Sequence, residues 1–200
     1  MSSQNKINYV KLNIIKTTFL GQCEFDFVIL IDSSGSIQDA NWESVLEMLR
    51  LLIAAIDSHS TLSVTSRAAI INYSNTAVLE INLSQQLDKN AILHAIDTSI
   101  TYQRGDATDI RTAANLARDV LANNTRTVSG SIRATQAVIL FTDGKQTVRV
   151  SGILPSQEEL DQLLIDTENE LVATLHGMMD QGVHVTMIGK YIITSVLFFL

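Results

Sequence analysis

Asp32, Ser34 and Ser36 follow one another at intervals of two residues, directly after the apolar run of residues 29–31. They place one carboxylate and two hydroxyls on a short loop, and Gly35 allows the chain to turn sharply there. Oxygens of this kind are hard ligands, which bind Mg²⁺, Mn²⁺ or Ca²⁺ rather than zinc or copper. The loop therefore suits one side of a divalent-cation site, and the alternative is that its residues cap the helix that follows.

Two later segments carry oxygens of the same type: GDATDI contains Thr108 and Asp109, and FTDG contains Thr142 and Asp143. Taken alone, Thr108 is typical of a helix N-cap and Asp143 of a turn. Asp109 is predicted to be a first-turn carboxylate that the helix dipole stabilises, with a water-mediated role at a metal as the alternative. A hydroxyl-rich shell would leave a bound cation with net positive charge, which could recruit a carboxylate from another molecule.

The elements predicted around these loops alternate between strands and helices. Strands are predicted at 25–32, 67–74, 77–83, 137–144 and 183–189, and helices at 41–57, 90–100, 109–124 and 155–182. This alternation favours parallel strands with helices on both faces, so the predicted fold class is α/β, three-layered and doubly wound around a mostly parallel central sheet. Asp32 and Asp143 both follow apolar strands, and we expect them at the sheet edge where ligands bind in such folds.

Composition narrows the class of protein further. The 200 residues are 46% hydrophobic, which supplies a sizeable core, and the net charge of −7 disfavours nucleic acid or anionic membranes as partners. The apolar run IITSVLFFL is too short for a membrane span. Cys23 is the only cysteine, so an internal disulfide is excluded, and the N-terminal residues do not form a convincing signal peptide.

The three oxygen-bearing segments, in this order and spacing, resemble the von Willebrand factor A domain, also called the integrin I-like domain. The resemblance rests on the D-x-S-x-S loop, GDATDIRTAANLA and VILFTDG, with support from INYSNTAVLEINL and GVHVTMIG. It implies a metal-ion-dependent adhesion site, in which the cation engages an acidic side chain of a protein partner. The ligands implied for Mg²⁺, or for Mn²⁺ or Ca²⁺, are Asp32, Ser34, Ser36, Thr108 and Asp143.

The resemblance also divides the chain into an N-terminal extension (1–23), the domain itself (24–190) and an apolar C-terminal tail (191–200). Family members continue after the GVHVTMIG strand with a helix, a strand and a final helix, so the chain is interpreted as truncated at its C-terminus. That departure puts in doubt any affinity switching through the final helix. We expect the tail to leave apolar surface exposed and to promote self-association.

The sequence leaves three functions open. The first is a non-enzymatic, cation-dependent adhesion domain, extracellular by resemblance. The second is an intracellular scaffold domain in a protein complex, which the single cysteine and the missing signal peptide favour. The third is a Mg²⁺-dependent phosphotransferase with Asp32 as nucleophile, which is disfavoured because Ser34 stands where such enzymes place a second Asp as general acid.

Overall fold

A computed structural model of the chain describes residues 24–57, 66–85, 88–129, 132–143, 146–147 and 156–189. These residues form seven strands: β1 Phe25–Asp32, β2 Arg67–Tyr73, β3 Ala77–Ile81, β4 Thr127–Ser129, β5 Ile132–Arg133, β6 Thr135–Thr142 and β7 His184–Gly189. They also form four α-helices: α1 Asp39–Asp57, α2 Lys89–Thr98, α3 Ile110–Asn123 and α4 Gln157–Asp180.

Five of the strands form one sheet in the order β3-β2-β1-β6-β7. The pairs β1–β2, β1–β6 and β6–β7 are parallel, and β3 pairs antiparallel with β2 at one edge. The chain moves outward from β1 to β2 and later returns to the other side of β1 with β6, so the strand order reverses next to β1. This is the mostly parallel, doubly wound sheet that the sequence predicts, and its carboxyl edge is where such folds bind ligands.

Helices cover both faces of the sheet, which explains why all eight residues of β1 are buried. Phe27, Ile29 and Ile31 belong to the core cluster that includes residues of α1 and α2. Val28 and Leu30 point the other way, into the cluster that includes residues of α3 and α4. The predicted three-layer α/β fold is therefore confirmed, with two separate apolar cores on either side of one sheet.

Polar side chains mark where three of the helices begin. Asp88 accepts a hydrogen bond from a backbone N–H at the start of α2. Asp109, rather than Thr108, caps α3, because its carboxylate accepts from the Thr112 N–H at 3.0 Å. Ser156 and Glu159 form a reciprocal capping box at the start of α4. The boundary residues thus supply acceptors for N–H groups that have no partner within their own helix.

Two local predictions differ from the structure. Helix α1 begins at Asp39, two residues before the predicted start, and the Asn41 side-chain amide donates to the Ile37 carbonyl at 2.9 Å. The small hairpin of β4 and β5 was not predicted, because strands of three and two residues are too short to show a periodic pattern. Neither difference moves the carboxyl edge of the central sheet.

The predicted N-terminal extension (1–23) and the apolar tail (191–200) lie outside the described residues. The expectations of truncation and self-association therefore stay predictions. Within the described ranges, none of the helices combines the length and apolar character that crossing a membrane requires.

Candidate metal centre

Asp32 forms the floor of the site at the end of β1 and is 1% exposed. One carboxylate oxygen, Oδ1, accepts a hydrogen bond from the Ser34 N–H at 2.9 Å. The other, Oδ2, accepts from the Thr142 hydroxyl at the end of the neighbouring strand β6, at 2.8 Å. Two different segments therefore hold this carboxylate in one orientation.

Two serines connect this floor to the third loop, the segment after β6 that begins with Asp143. The hydroxyls of Ser34 and Ser36 lie 2.9 Å apart, and the Ser36 hydroxyl donates to Oδ1 of Asp143 at 2.8 Å. Ser34 is buried, Asp143 is half-buried and Ser36 is exposed, so the cluster runs from the core to the surface. The structure thus brings four of the five predicted site residues into one hydrogen-bonded group, Asp32 through its bond to the Ser34 backbone.

Thr108, the fifth predicted residue, lies on a second loop that packs against the first. The Gly35 N–H donates to the Gly105 carbonyl at 2.7 Å, and the Arg104 N–H donates to the Ser33 carbonyl at 3.0 Å. Thr108 itself is buried at the end of this loop, just before α3. The hydrogen bonds that connect the other four side chains do not include its hydroxyl.

Hydrogen bonds between the second and third loops were not predicted from the sequence. The Thr147 hydroxyl accepts from the Thr108 N–H at 2.6 Å, and the Thr147 N–H donates to the Thr108 carbonyl at 3.1 Å. Next to it, buried Gln146 accepts from the Arg111 N–H in the first turn of α3 at 3.2 Å. Thr147 holds Thr108 in place directly, and Gln146 connects the same segment to the start of α3. Neither residue belongs to a recognisable motif, so no sequence signal could have identified them.

Electrostatics at the site favour a positive charge. Burial raises the pKa of Asp32, hydrogen bonds from Ser34 and Thr142 oppose this increase, and the nearby Asp143 carboxylate adds to it. Below the cluster, burial raises the pKa of the Tyr73 hydroxyl well above its usual value, so this group stays protonated. Two carboxylates close together, one of them buried, repel each other unless a cation lies between them.

The donor set fits a hard divalent cation. Within the described residues there is no group of three or more His, Cys, Asp or Glu side chains that could hold a metal ion. The cluster at this edge instead combines two carboxylates with hydroxyls, the oxygen donors that Mg²⁺, Mn²⁺ and Ca²⁺ accept. Its deep side is closed by Asp32 and its outer side opens to solvent at Ser36, so a ligand from another molecule could approach from there.

The same geometry disfavours Asp32 as a nucleophile. Its carboxylate is almost fully buried, and both oxygens already accept hydrogen bonds from the first loop and from β6. Ser34, at the position of the required general acid, contributes its backbone N–H to this arrangement. A phosphotransferase needs an accessible attacking oxygen and an acid for the leaving group, and the contacts of Asp32 supply neither.

Comparisons with known proteins agree with the fold. A family model described as the von Willebrand factor type A domain matches residues 26–190. Matrilin-3 of Gallus gallus is 27% identical over 128 residues, which are 64% of this chain and 27% of that protein. Matrilin-3 of Mus musculus is 26% identical over 133 residues, 64% of this chain and 26% of that protein. The matched part of the chain thus spans about a quarter of these relatives.

Solved structures show the same architecture. Proximal thread matrix protein 1 from the mussel byssus, in a structure described as having a zinc-occupied MIDAS motif, has a TM-score of 0.58 at 23% identity. That similarity covers 84% of this chain and 38% of the mussel protein. A second crystal form of the same protein has a TM-score of 0.57 at 24% identity, with the same coverage.

Proposed function

Because the chain belongs to the von Willebrand factor type A domain family, we propose that it is a non-enzymatic protein-binding domain of the adhesion type. In this proposal a divalent cation binds at the carboxyl edge of the sheet and engages a carboxylate of a protein partner. The observation that carries it is the hydrogen-bonded group that runs from buried Asp32 to half-buried Asp143. This group supplies oxygen ligands on one side and faces solvent on the other.

Five residues would hold the ion, and the ion would supply a positive charge able to bind an outside carboxylate. Hydroxyls neutralise a cation less than carboxylates do, so this ligand set leaves part of the charge for the partner. Mg²⁺ is the proposed ion, with Mn²⁺ or Ca²⁺ as alternatives, and the zinc in the mussel protein makes Zn²⁺ a necessary comparison. The proposed ligands are Asp32, Ser34, Ser36, Thr108 and Asp143.

We further propose an extracellular setting, which rests on the resemblance to adhesion domains. Detection of the full-length protein in the medium of expressing cells, with an intracellular protein as control, tests this point. Retention inside the cells would favour the scaffold function instead.

Calorimetric titration with Mg²⁺, Mn²⁺, Ca²⁺ and Zn²⁺ tests the ion site directly. We expect one ion per chain for the natural sequence, loss of binding in Asp143→Ala, and unchanged binding in Asp119→Asn. Asp119 is the matched control because it is an exposed carboxylate on α3 that pairs with Arg118. Absence of ion binding, or equal binding by both variants, would contradict the proposed site.

A further inference from the structure

We propose that Arg104 forms a second contact with the partner, binding an acidic side chain close to the carboxylate that reaches the ion. This inference rests on the proposed function and specifies the partner: a segment with two acidic residues rather than one. Its basis is an arginine held in an unusual backbone conformation, supported by two aromatic rings at the rim of the candidate metal centre.

The backbone of Arg104 has φ 55°, a left-handed conformation that favours glycine and is uncommon for other residues. Hydrogen bonds keep it there: the Arg104 N–H donates to the Ser33 carbonyl, and the next residue, Gly105, accepts from Gly35. Residues held in such conformations cluster at functional sites, where the surrounding structure compensates for the strain. The loop therefore presents the arginine side chain from a fixed point beside the first ligand loop.

Two stacked aromatic rings support the guanidinium group. The rings of Trp42 and Tyr102 have centroids 5.1 Å apart and an interplanar angle of 18°. The Arg104 guanidinium carbon lies 5.5 Å from the Tyr102 ring centroid. The Tyr102 hydroxyl in turn donates to the Ser34 carbonyl at 3.0 Å, so this support is anchored to a proposed ligand residue. Trp, Tyr and Arg are the residues most enriched among the strong contacts of protein interfaces.

Arg104 forms an exposed ion pair with Asp39, which a carboxylate of the partner could replace. Its Nε lies 2.9 Å from Oδ1 of Asp39, and both side chains are 66% exposed. Exposed pairs of this kind contribute little to stability, because water screens both charges. The contact to Asp39 uses Nε, and a guanidinium has two further nitrogens that suit the two oxygens of a carboxylate. A carboxylate of the partner can therefore join or replace Asp39 at little cost.

Charge complementarity identifies the partner's second group as acidic. The chain has a net charge of −7, and the carboxylate of Asp39 lies 2.9 Å from Nε of Arg104. An acidic partner segment would be repelled by the carboxylates except where it meets the ion or Arg104. We therefore expect the second acidic residue of the partner to contact Arg104.

A displayed library of linear heptapeptides with a fixed central glutamate tests the inference on the full chain in Mg²⁺, with chelator as control. We expect the natural sequence to enrich peptides with a second Asp or Glu at a preferred position. In Arg104→Glu that acidic enrichment should fall about 10-fold or more, because the new carboxylate repels an acidic residue of the partner, and Lys or Arg should replace it. Asp39→Ala should keep or strengthen the acidic preference.

Arg104→Gly is the second variant, since glycine adopts φ 55° without strain and removes only the side chain. Its Mg²⁺ affinity should match that of the natural sequence, and its acidic preference should be lost. This inference would be overturned, and the proposed function left standing, by either of two results. The first is Mg²⁺-dependent enrichment of peptides without a second acidic residue. The second is selection of the same peptides by Arg104→Gly and by the natural sequence. Enrichment that is equal in Mg²⁺ and in chelator would instead contradict the proposed function.

Discussion

At the scale of single residues, replacing the carboxylate of Asp32 tests whether this residue binds the ion or stabilises the fold. Asp32→Asn keeps an oxygen acceptor for the Ser34 N–H and places an amide opposite the Thr142 hydroxyl, which can accept from it. We therefore expect the ion-free variant to melt within a few degrees of the natural sequence. Mg²⁺ affinity should fall about 10-fold or more, because the substitution removes a negative charge from a proposed ligand residue.

Thermal denaturation with and without Mg²⁺, together with calorimetric titration, measures both parts of this prediction. Stabilisation by Mg²⁺ should be present in the natural sequence and absent in the variant. If the ion-free variant is unfolded at ambient temperature, the role of Asp32 is structural and the interpretation of the first loop is wrong.

Thr147 has a defined supporting role at the same scale. Its hydroxyl accepts from the Thr108 N–H, so Thr147→Val removes that acceptor while keeping the shape of the side chain. We expect Mg²⁺ affinity to fall about 10-fold, the range typical of residues that position metal ligands. Thr125→Val is the matched control, because Thr125 is also exposed and bonds the Ala122 carbonyl far from the ligand loops. If calorimetry gives equal Mg²⁺ affinities for the two variants, Thr147 does not support the ion site.

At the scale of elements, the second loop packs closely at Gly105 against the turn between β2 and β3. A Cβ at Gly105 would overlap the Ser74 hydroxyl and lie 2.7 Å from Oδ1 of Asn75. Gly105→Ala must therefore displace these two side chains or the second loop itself. We expect a stability loss of about 1–3 kcal/mol from overpacking, and weaker Mg²⁺ binding because Thr108 moves with the loop.

Gly177 in α4 provides the matched control for this substitution. A Cβ at Gly177 meets nothing within 4 Å, so Gly177→Ala adds helix propensity without a clash. The expected effect is a gain of about 0.5–1 kcal/mol in the free energy of unfolding, with unchanged Mg²⁺ affinity. Urea denaturation and calorimetry measure both variants, and a neutral Gly105→Ala would show that the second loop does not need its close approach to Ser74 and Asn75.

At the scale of the whole molecule, a buried ion-pair network closes the amino edge of the sheet, opposite the candidate metal centre. Asp26 is fully buried and pairs with Arg67 at 2.7 Å and with Arg126 at 3.0 Å. Arg67 also donates to the Asn124 carbonyl after α3, and Arg126 pairs with Glu24. The network thus joins β1, β2 and the segment that follows α3.

Removing Asp26 should destabilise the entire domain. Asp26→Ala leaves two partly buried arginines without their shared carboxylate, and breaking such a pair costs about 3–5 kcal/mol. Asp97→Ala is the control, since Asp97 pairs with Arg50 at the surface and should cost about 0–1 kcal/mol. Urea denaturation measures both values. A loss below about 1 kcal/mol in Asp26→Ala would mean that the network adds little to stability.

The sequence by itself determined the features that local pattern encodes. Strand β1 reads as a continuous apolar run because helices cover both of its faces, and α3 shows the helical period of its buried side. The oxygen-bearing residues at Asp32, Ser34 and Asp143 follow such runs, so parallel pairing alone predicts a common edge for them. Element ends were predicted less well, since they depend on single caps such as Asp109.

Only the tertiary structure decided which residues distant in sequence meet. Thr147 contacts Thr108 across 39 residues, and Arg126 reaches Asp26 across 100. The stacked rings beside Arg104 likewise come from different elements, Trp42 from α1 and Tyr102 from the second loop. These contacts have no signature in composition or periodicity, because hydrophobic patterning specifies which face of an element is buried and leaves the polar partners at its ends to the geometry of the folded chain.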